Sequence, residues 1–189
     1  MITNTTTQRG FSLGSFEDTL GNPCSIQRSS LATKNCIWLG RDGNVASVVS
    51  DADGNPVELE FNMNIRESCV PGEGPSHHSI DTRMHLSRPM VGVLVSLMEV
   101  FLVSNKLFPL QAAFKDEYRT MCHFQRNGDL FEMGCFEPKC KYQTGSERGW
   151  QTLDHESKGW TIDATVSLDR DGVKELLPSL KNFHENGAF

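Results

Sequence analysis

Six consecutive residues, Arg83-Met84-His85-Leu86-Ser87-Arg88, bring together two guanidiniums, an imidazole and a hydroxyl. These groups suit an anion. Strand alternation puts Arg83 and His85 on one face. Ser87 stands where a helix begins, and the free N–H groups and dipole of a helix N-terminus favour negative charge. Arg83, His85, Ser87 and Arg88 are therefore candidate phosphate ligands, with Arg28 or Arg66 able to assist. The plainer reading is a solvated strand edge beside an ordinary helix cap. Trp38, Trp150 and Trp160 could stack on a base or fill a core.

No catalytic or cofactor motif accompanies the cluster. The chain contains no G-x-S-x-G, H-E-x-x-H, P-loop or dinucleotide-binding glycine pattern. The other histidines are scattered. The six cysteines include no C-x-x-C pair, which favours buried reduced thiols over a zinc site or disulfides. No cofactor and no metal is expected. The formal net charge is −6, so a nucleic-acid polymer is not the expected partner, although a local arginine cluster can still hold a small anion. No apolar run reaches membrane-spanning length, and the polar, Thr-rich start lacks the apolar core of a signal peptide. The expected compartment is cytoplasmic.

The elements that would position these groups occur twice. Residues 80–91 match residues 162–173 at a spacing of 82, and the match continues through Leu94/Leu176, Val95/Leu177, Met98/Leu180 and Phe101/Phe183. Phe16, Asp18, Cys24, Gln27 and Arg28 match Phe114, Asp116, Cys122, Gln125 and Arg126 at a spacing of 98. Two ordered matches imply tandem copies of one module, at residues 11–107 and 109–189, with Pro109 ending the first helix. Within the anion cluster, the second copy has Thr165, Ser167, Asp169 and Arg170. Only Arg170 remains a candidate ligand there, and Asp169 would repel an anion.

Each copy opens with β signals, at 11–17, 24–30, 37–40, 121–126 and 130–134, with Asn127-Gly128 as a hairpin turn. A second hairpin is expected from 45–49 and 57–61 around Asp53-Gly54. Residues 80–86 and 160–168 read as strands. Helices follow at about 87–104, with Pro89 in the first turn, and about 169–186, capped by Asp169 and ending near Gly187. Pro178 predicts a kink or early break in the second helix. The expected fold is α+β: two small β-meander modules, each closed by an amphipathic helix, forming a pseudo-dimer.

The strings Phe16-Glu17-Asp18, residues 21–32 and Ile37-Trp38-Leu39-Gly40, followed by Arg-Met-His-Leu-Ser-Arg and a Leu-rich helix, resemble a family of small tailed-phage proteins. The layout is similar to phage sponge proteins that counter the Thoeris defence by sequestering cyclic ADP-ribose signals between paired subunits. That resemblance implies a non-enzymatic anti-defence protein in the host bacterial cytoplasm, with a small anionic nucleotide-like ligand. An anti-CRISPR-like inhibitor that binds a host defence protein is the first alternative, and a phosphodiesterase acting on such signals is the second. Further self-association of the pseudo-dimer is compatible with each.

Overall fold

The computed structural model describes residues 2–7, 10–29, 35–42, 46–50, 56–61, 77–104, 110–136, 139–144, 147–152 and 164–188. Among the described residues the fold is α+β, with antiparallel sheets and two helices. The first sheet has strand order β1-β2-β3-β4-β8, formed by Thr3–Thr6, Ser12–Glu17, Pro23–Arg28, Cys36–Arg41 and Met84–Ser87. Helix α1, Arg88–Val103, follows β8 directly. A second sheet has order β14-β11-β10-β9, from Gln111–Lys115 (β9), Met121–Asn127 (β10), Leu130–Cys135 (β11) and Val166–Leu168 (β14). Helix α2, Arg170–Asn186, follows β14.

The two sheets share one pattern. A three-strand meander (β2-β3-β4 and β9-β10-β11) is followed by a departure of the chain, which returns as a strand beside β4 or β11 before entering a helix; β1 adds an edge strand to the first sheet alone. The registers agree as well. Phe16 faces Cys24 and Phe114 faces Cys122. Ile37 lies between Arg28 and Leu86, as Phe131 lies between Arg126 and Leu168. The departing segments carry β5 (Ala46–Ser50), β6 (Pro56–Phe61) and β7 (His77–Asp81) from one half, and β12 (Lys139–Thr144) and β13 (Glu147–Thr152) from the other. Together they form a third sheet, β13-β12-β7-β5-β6.

Alternation explains which side chains form the core. Ile26, Ile37, Leu39, Met84 and Leu86 are fully buried in the first half, as are Phe124, Phe131, Met133, Val166 and Leu168 in the second. The helices contribute Val91, Leu94, Val95, Met98 and Phe101 from α1, and Val173, Leu176, Leu177, Leu180 and Phe183 from α2. All belong to one continuous cluster. The helices pack on each other, and Phe101 of α1 meets Phe131 of β11 edge-on at 5.6 Å. A half of this size has a thin core, and sharing one core removes more apolar surface from water.

Several sequence expectations change. Residues 80–86 are not one strand: β7 belongs to the third sheet and β8 to the first. The chain changes sheets at Thr82, whose hydroxyl donates to the Arg41 carbonyl at 3.1 Å. Of residues 160–168, only Val166–Leu168 is strand, and 160–163 lie outside the described residues. Helix α2 runs through Pro178 without a break. Pro178 and Lys174, whose carbonyl loses its donor, are both exposed, so water can satisfy that carbonyl. Strands β1 and β13 carry no apolar alternation, and β12 has only Cys140 and Tyr142 alternating with polar residues. The 45–61 hairpin forms as β5 and β6, with its turn outside the described residues.

Close approach sets two glycines. Gly40 on β4 lies opposite Ser25, and Gly134 on β11 lies opposite His123, at matching places in the two meanders. A Cβ on Gly134 would come within 2.6 Å of the Ala164 carbonyl oxygen, and one on Gly40 within 2.8 Å of the Arg83 Cα. In both halves the chain returning to pair beside that strand, as β8 or β14, crosses against the glycine. Because the Gly134 contact is backbone, Gly134→Ala is expected to destabilise the fold by about 1–3 kcal/mol. The urea midpoint checks this; an unchanged midpoint would contradict the close approach.

Candidate functional site

The junction between the halves is built around two buried carboxylates. Asp18 closes the β2–β3 turn: its Oδ1 accepts from the Leu20 N–H at 3.0 Å and the Asn22 N–H at 2.8 Å. Asp116 closes the β9–β10 turn in the same way, with its Oδ1 accepting from the Tyr118 N–H at 2.9 Å and the Thr120 N–H at 2.8 Å. The other oxygen of each reaches the opposite half. Asp18 Oδ2 accepts from the Ser167 N–H of β14 at 3.3 Å, and Asp116 Oδ2 accepts from the His85 N–H of β8 at 3.1 Å. The next residue in each turn completes the clamp: Thr19 N–H donates to the Ser167 carbonyl at 2.8 Å, and Glu117 N–H to the His85 carbonyl at 3.1 Å.

The helix ends are exchanged likewise. Arg88 donates through Nε and Nη2 to the His184 carbonyl at 2.9 and 2.6 Å, and through Nη2 to the Glu185 carbonyl at 2.6 Å. Arg170 donates to the Leu102 carbonyl and, at 2.9 Å, to the Ser104 carbonyl. Each guanidinium thus covers the carbonyl end of the other half's helix, where the dipole favours a cation. Arg126 joins the second of these ends, donating to the Phe101 carbonyl at 3.0 Å and the Ser104 hydroxyl at 2.9 Å.

On the outer face of the first sheet, Gln27, Trp38 and His85 form a cross-strand row. Arg83 and His85 share that face, with Met84 and Leu86 directed into the core. His85 is buried and its Nε2 lies 3.0 Å from the Ser29 hydroxyl. Trp38 packs on it at 4.4 Å between ring centroids. Tyr118, carried in by the Asp116 turn, lies 4.7 Å from His85 and stacks on Trp38 at 5.5 Å and 21°. The Arg83 guanidinium sits 5.4 Å from the Trp38 ring centre, and its Nη1 donates to Gln27 Oε1 at 3.2 Å. Trp38, Tyr118 and Arg83 each keep part of their surface exposed.

The candidates read from the sequence therefore separate. Arg83 and His85 meet in the aromatic cluster. Ser87 holds the N-cap position of α1 with extended backbone and no side-chain cap bond, next to Arg88. Arg88 and Arg170 sit at the exchanged helix ends. Arg28 is exposed at the end of β3, and Arg66 lies outside the described residues. Tyr118 could not be found from spacing, because only the docking of its turn onto β8 brings it to Trp38.

Cys24, Cys36, Cys122 and Cys135 are buried thiols outside any disulfide. Burial, reinforced by Asp18 and Asp42 and opposed by Arg41, pushes the Cys24 thiol up to about 12, which keeps it protonated. The Cys122 and Cys135 sulfurs are 3.5 Å apart. Cys69 lies outside the described residues. Among the described residues, no group of three or more His, Cys, Asp or Glu is arranged to hold a metal ion, and no helix is long and apolar enough to cross a membrane. The fold and junction define the class: an α+β protein with two meander-and-helix halves clamped reciprocally. No protein-family model matches the chain, and no curated protein or solved structure matches it.

Two outcomes test this geometry. Asp116→Ala removes the acceptor of the buried His85 and Thr120 N–H groups and of the part-buried Tyr118 N–H, so it is expected to destabilise by about 2–4 kcal/mol, measured by chemical denaturation. His123 is buried on Phe136 at 4.4 Å, and burial lowers its pKa against a smaller opposing effect of Glu132. The folded state thus binds fewer protons than the unfolded chain just below the ordinary histidine value. Its contribution is complete above about 6.5 and is lost as pH falls through that value toward the depressed one. His123→Gln is expected to flatten the fall in Tm between about pH 7.5 and 5.5; an identical slope would exclude His123 as a source.

Proposed function

We propose that the chain is a fused pseudo-dimer, descended from tandem copies of one module, that captures a small nucleotide-derived anion without cleaving it. Reciprocal use of Asp18 and Asp116, and of Arg88 and Arg170, supports descent from two equivalent subunits, since an isologous interface repeats each contact about a twofold axis. The observation that carries the ligand reading is the Arg83–Trp38–His85–Tyr118 cluster. An aromatic surface beside a guanidinium suits a planar base with an attached phosphate. Arg83, with the Trp38 and Tyr118 rings, forms the accessible core of this proposed site, and His85 is buried against both rings and supports them. Ser87 and Arg28 are assigned peripheral places, and Arg88 and Arg170 serve mainly to hold the halves together.

With the resemblance to phage proteins, the biological role we infer is anti-defence: sequestration of an immune signal in the host bacterial cytoplasm. A second reading, inhibition of a host defence protein by direct contact, is favoured by one feature. Val93, Val100 and Val103 of α1 are exposed, at 53%, 36% and 86%. The counterparts 82 residues on are Glu175, Asn182 and Glu185, which are polar.

Calorimetry and thermal shift with cyclic ADP-ribose isomers and cyclic oligonucleotides test the capture reading. Binding is expected with at least one of them, and intact ligand is expected to return on heating the complex. New chromatographic peaks would indicate a phosphodiesterase instead. No heat and no shift with any ligand, together with stable co-purification of a host complex that tolerates Arg83→Ala, would favour the inhibitor reading.

A further inference from the structure

We propose that the chain holds one ligand, not two, and that this ligand combines a planar ring with an anionic group. This rests on the capture reading above and specifies its stoichiometry and chemistry. A pseudo-dimer offers two equivalent places for a site, and the sheet registers identify the second. Ile37 matches Phe131 and Leu86 matches Leu168 in their pairing. Trp38 therefore corresponds to Glu132, and His85 to Ser167. The repeat spacings take Arg83 to Thr165 and Tyr118 to Leu20.

The second place has lost each group that a ring or an anion needs. Glu132 puts a carboxylate where Trp38 offers a ring. That carboxylate is held by the Gln125 amide at 2.9 Å and the Asn127 amide at 2.8 Å. Thr165 carries no charge, and Leu20 offers no ring. The negative charge there repels an anion, whereas the first place has a guanidinium beside stacked rings. The arginines near the helix ends do not restore the second site, because Arg126 and Arg170 cap the end of α1.

The surviving site is nevertheless composite. Trp38, His85 and Arg83 come from the first half, but Tyr118 comes from the second and is placed by Asp116, whose carboxylate also holds β8. The second half has thus kept its clamp and lost its own site. The fold requires both clamps, since each secures the strand that leads into the opposite half's helix. Nothing in the fold requires both ligand places, so one is free to diverge.

Calorimetry with AMP as the probe, and with adenosine and ribose 5-phosphate as its parts, tests the proposal on the full chain. AMP is expected to bind at one per chain. Tyr118→Ala is expected to weaken both AMP and adenosine by about 10- to 100-fold through lost stacking. Arg83→Gln is expected to weaken AMP about 10-fold and leave adenosine unchanged. Glu132→Gln, at the diverged place, is expected to alter neither. Tyr118→Phe keeps the ring and is expected to bind as wild type, which separates stacking from a folding defect. Two AMP per chain, or AMP binding indifferent to both Tyr118→Ala and Arg83→Gln, would overturn the single-site proposal and leave capture standing. Failure of AMP together with all the cyclic nucleotides would overturn both.

Discussion

The structure depends on a carboxylate that serves two masters. Asp18 and Asp116 each terminate a turn of their own half and accept an N–H from the last strand of the other. A buried carboxylate without donors would be costly, and one with several backbone N–H donors is stable. Neither aspartate has its full set of donors until the halves meet. The same condition holds at the helix ends, where the last carbonyls of α1 and α2 are covered by arginines of the opposite half. Polar satisfaction and burial of the shared core are therefore achieved in one step.

That coupling also explains where chemistry can sit. The Asp116 turn must lie against β8 to place its carboxylate, and in doing so it lays Tyr118 against His85 and Trp38. The Asp18 turn lies against β14 by the same bonds but carries Leu20, which is 67% exposed. The backbone geometry is common to both junctions, and the side chains it presents are not. Each clamp is made of main-chain donors around one carboxylate, with the Asn22 amide added at Asp18.

Much of the framework was legible from residue spacing. The pairs Phe16/Phe114 and Cys24/Cys122 fall at matching register positions, and the stripes from Val91 to Phe101 and from Val173 to Phe183 are the buried faces of α1 and α2. The aspartates were visible only as a matched pair, because a carboxylate's donors lie in a distant strand. The carbonyl partners of Arg88 and Arg170 were hidden for the same reason. A guanidinium after a capping residue reads alike whether it meets a phosphate or the carbonyl end of a helix about 96 residues away.

Sequence alone determined the helices, the β-rich opening of each half and the repeated order of segments, since these follow from local periodicity and from side-chain types at fixed spacing. Tertiary structure decided that the chain changes sheets at Thr82, that α2 continues through Pro178 and that the two departing segments share a third sheet. It also decided that Tyr118 joins Trp38 and His85. These outcomes depend on hydrogen-bond partners and packing surfaces from residues far apart in the chain, and no local pattern encodes which distant group will supply them.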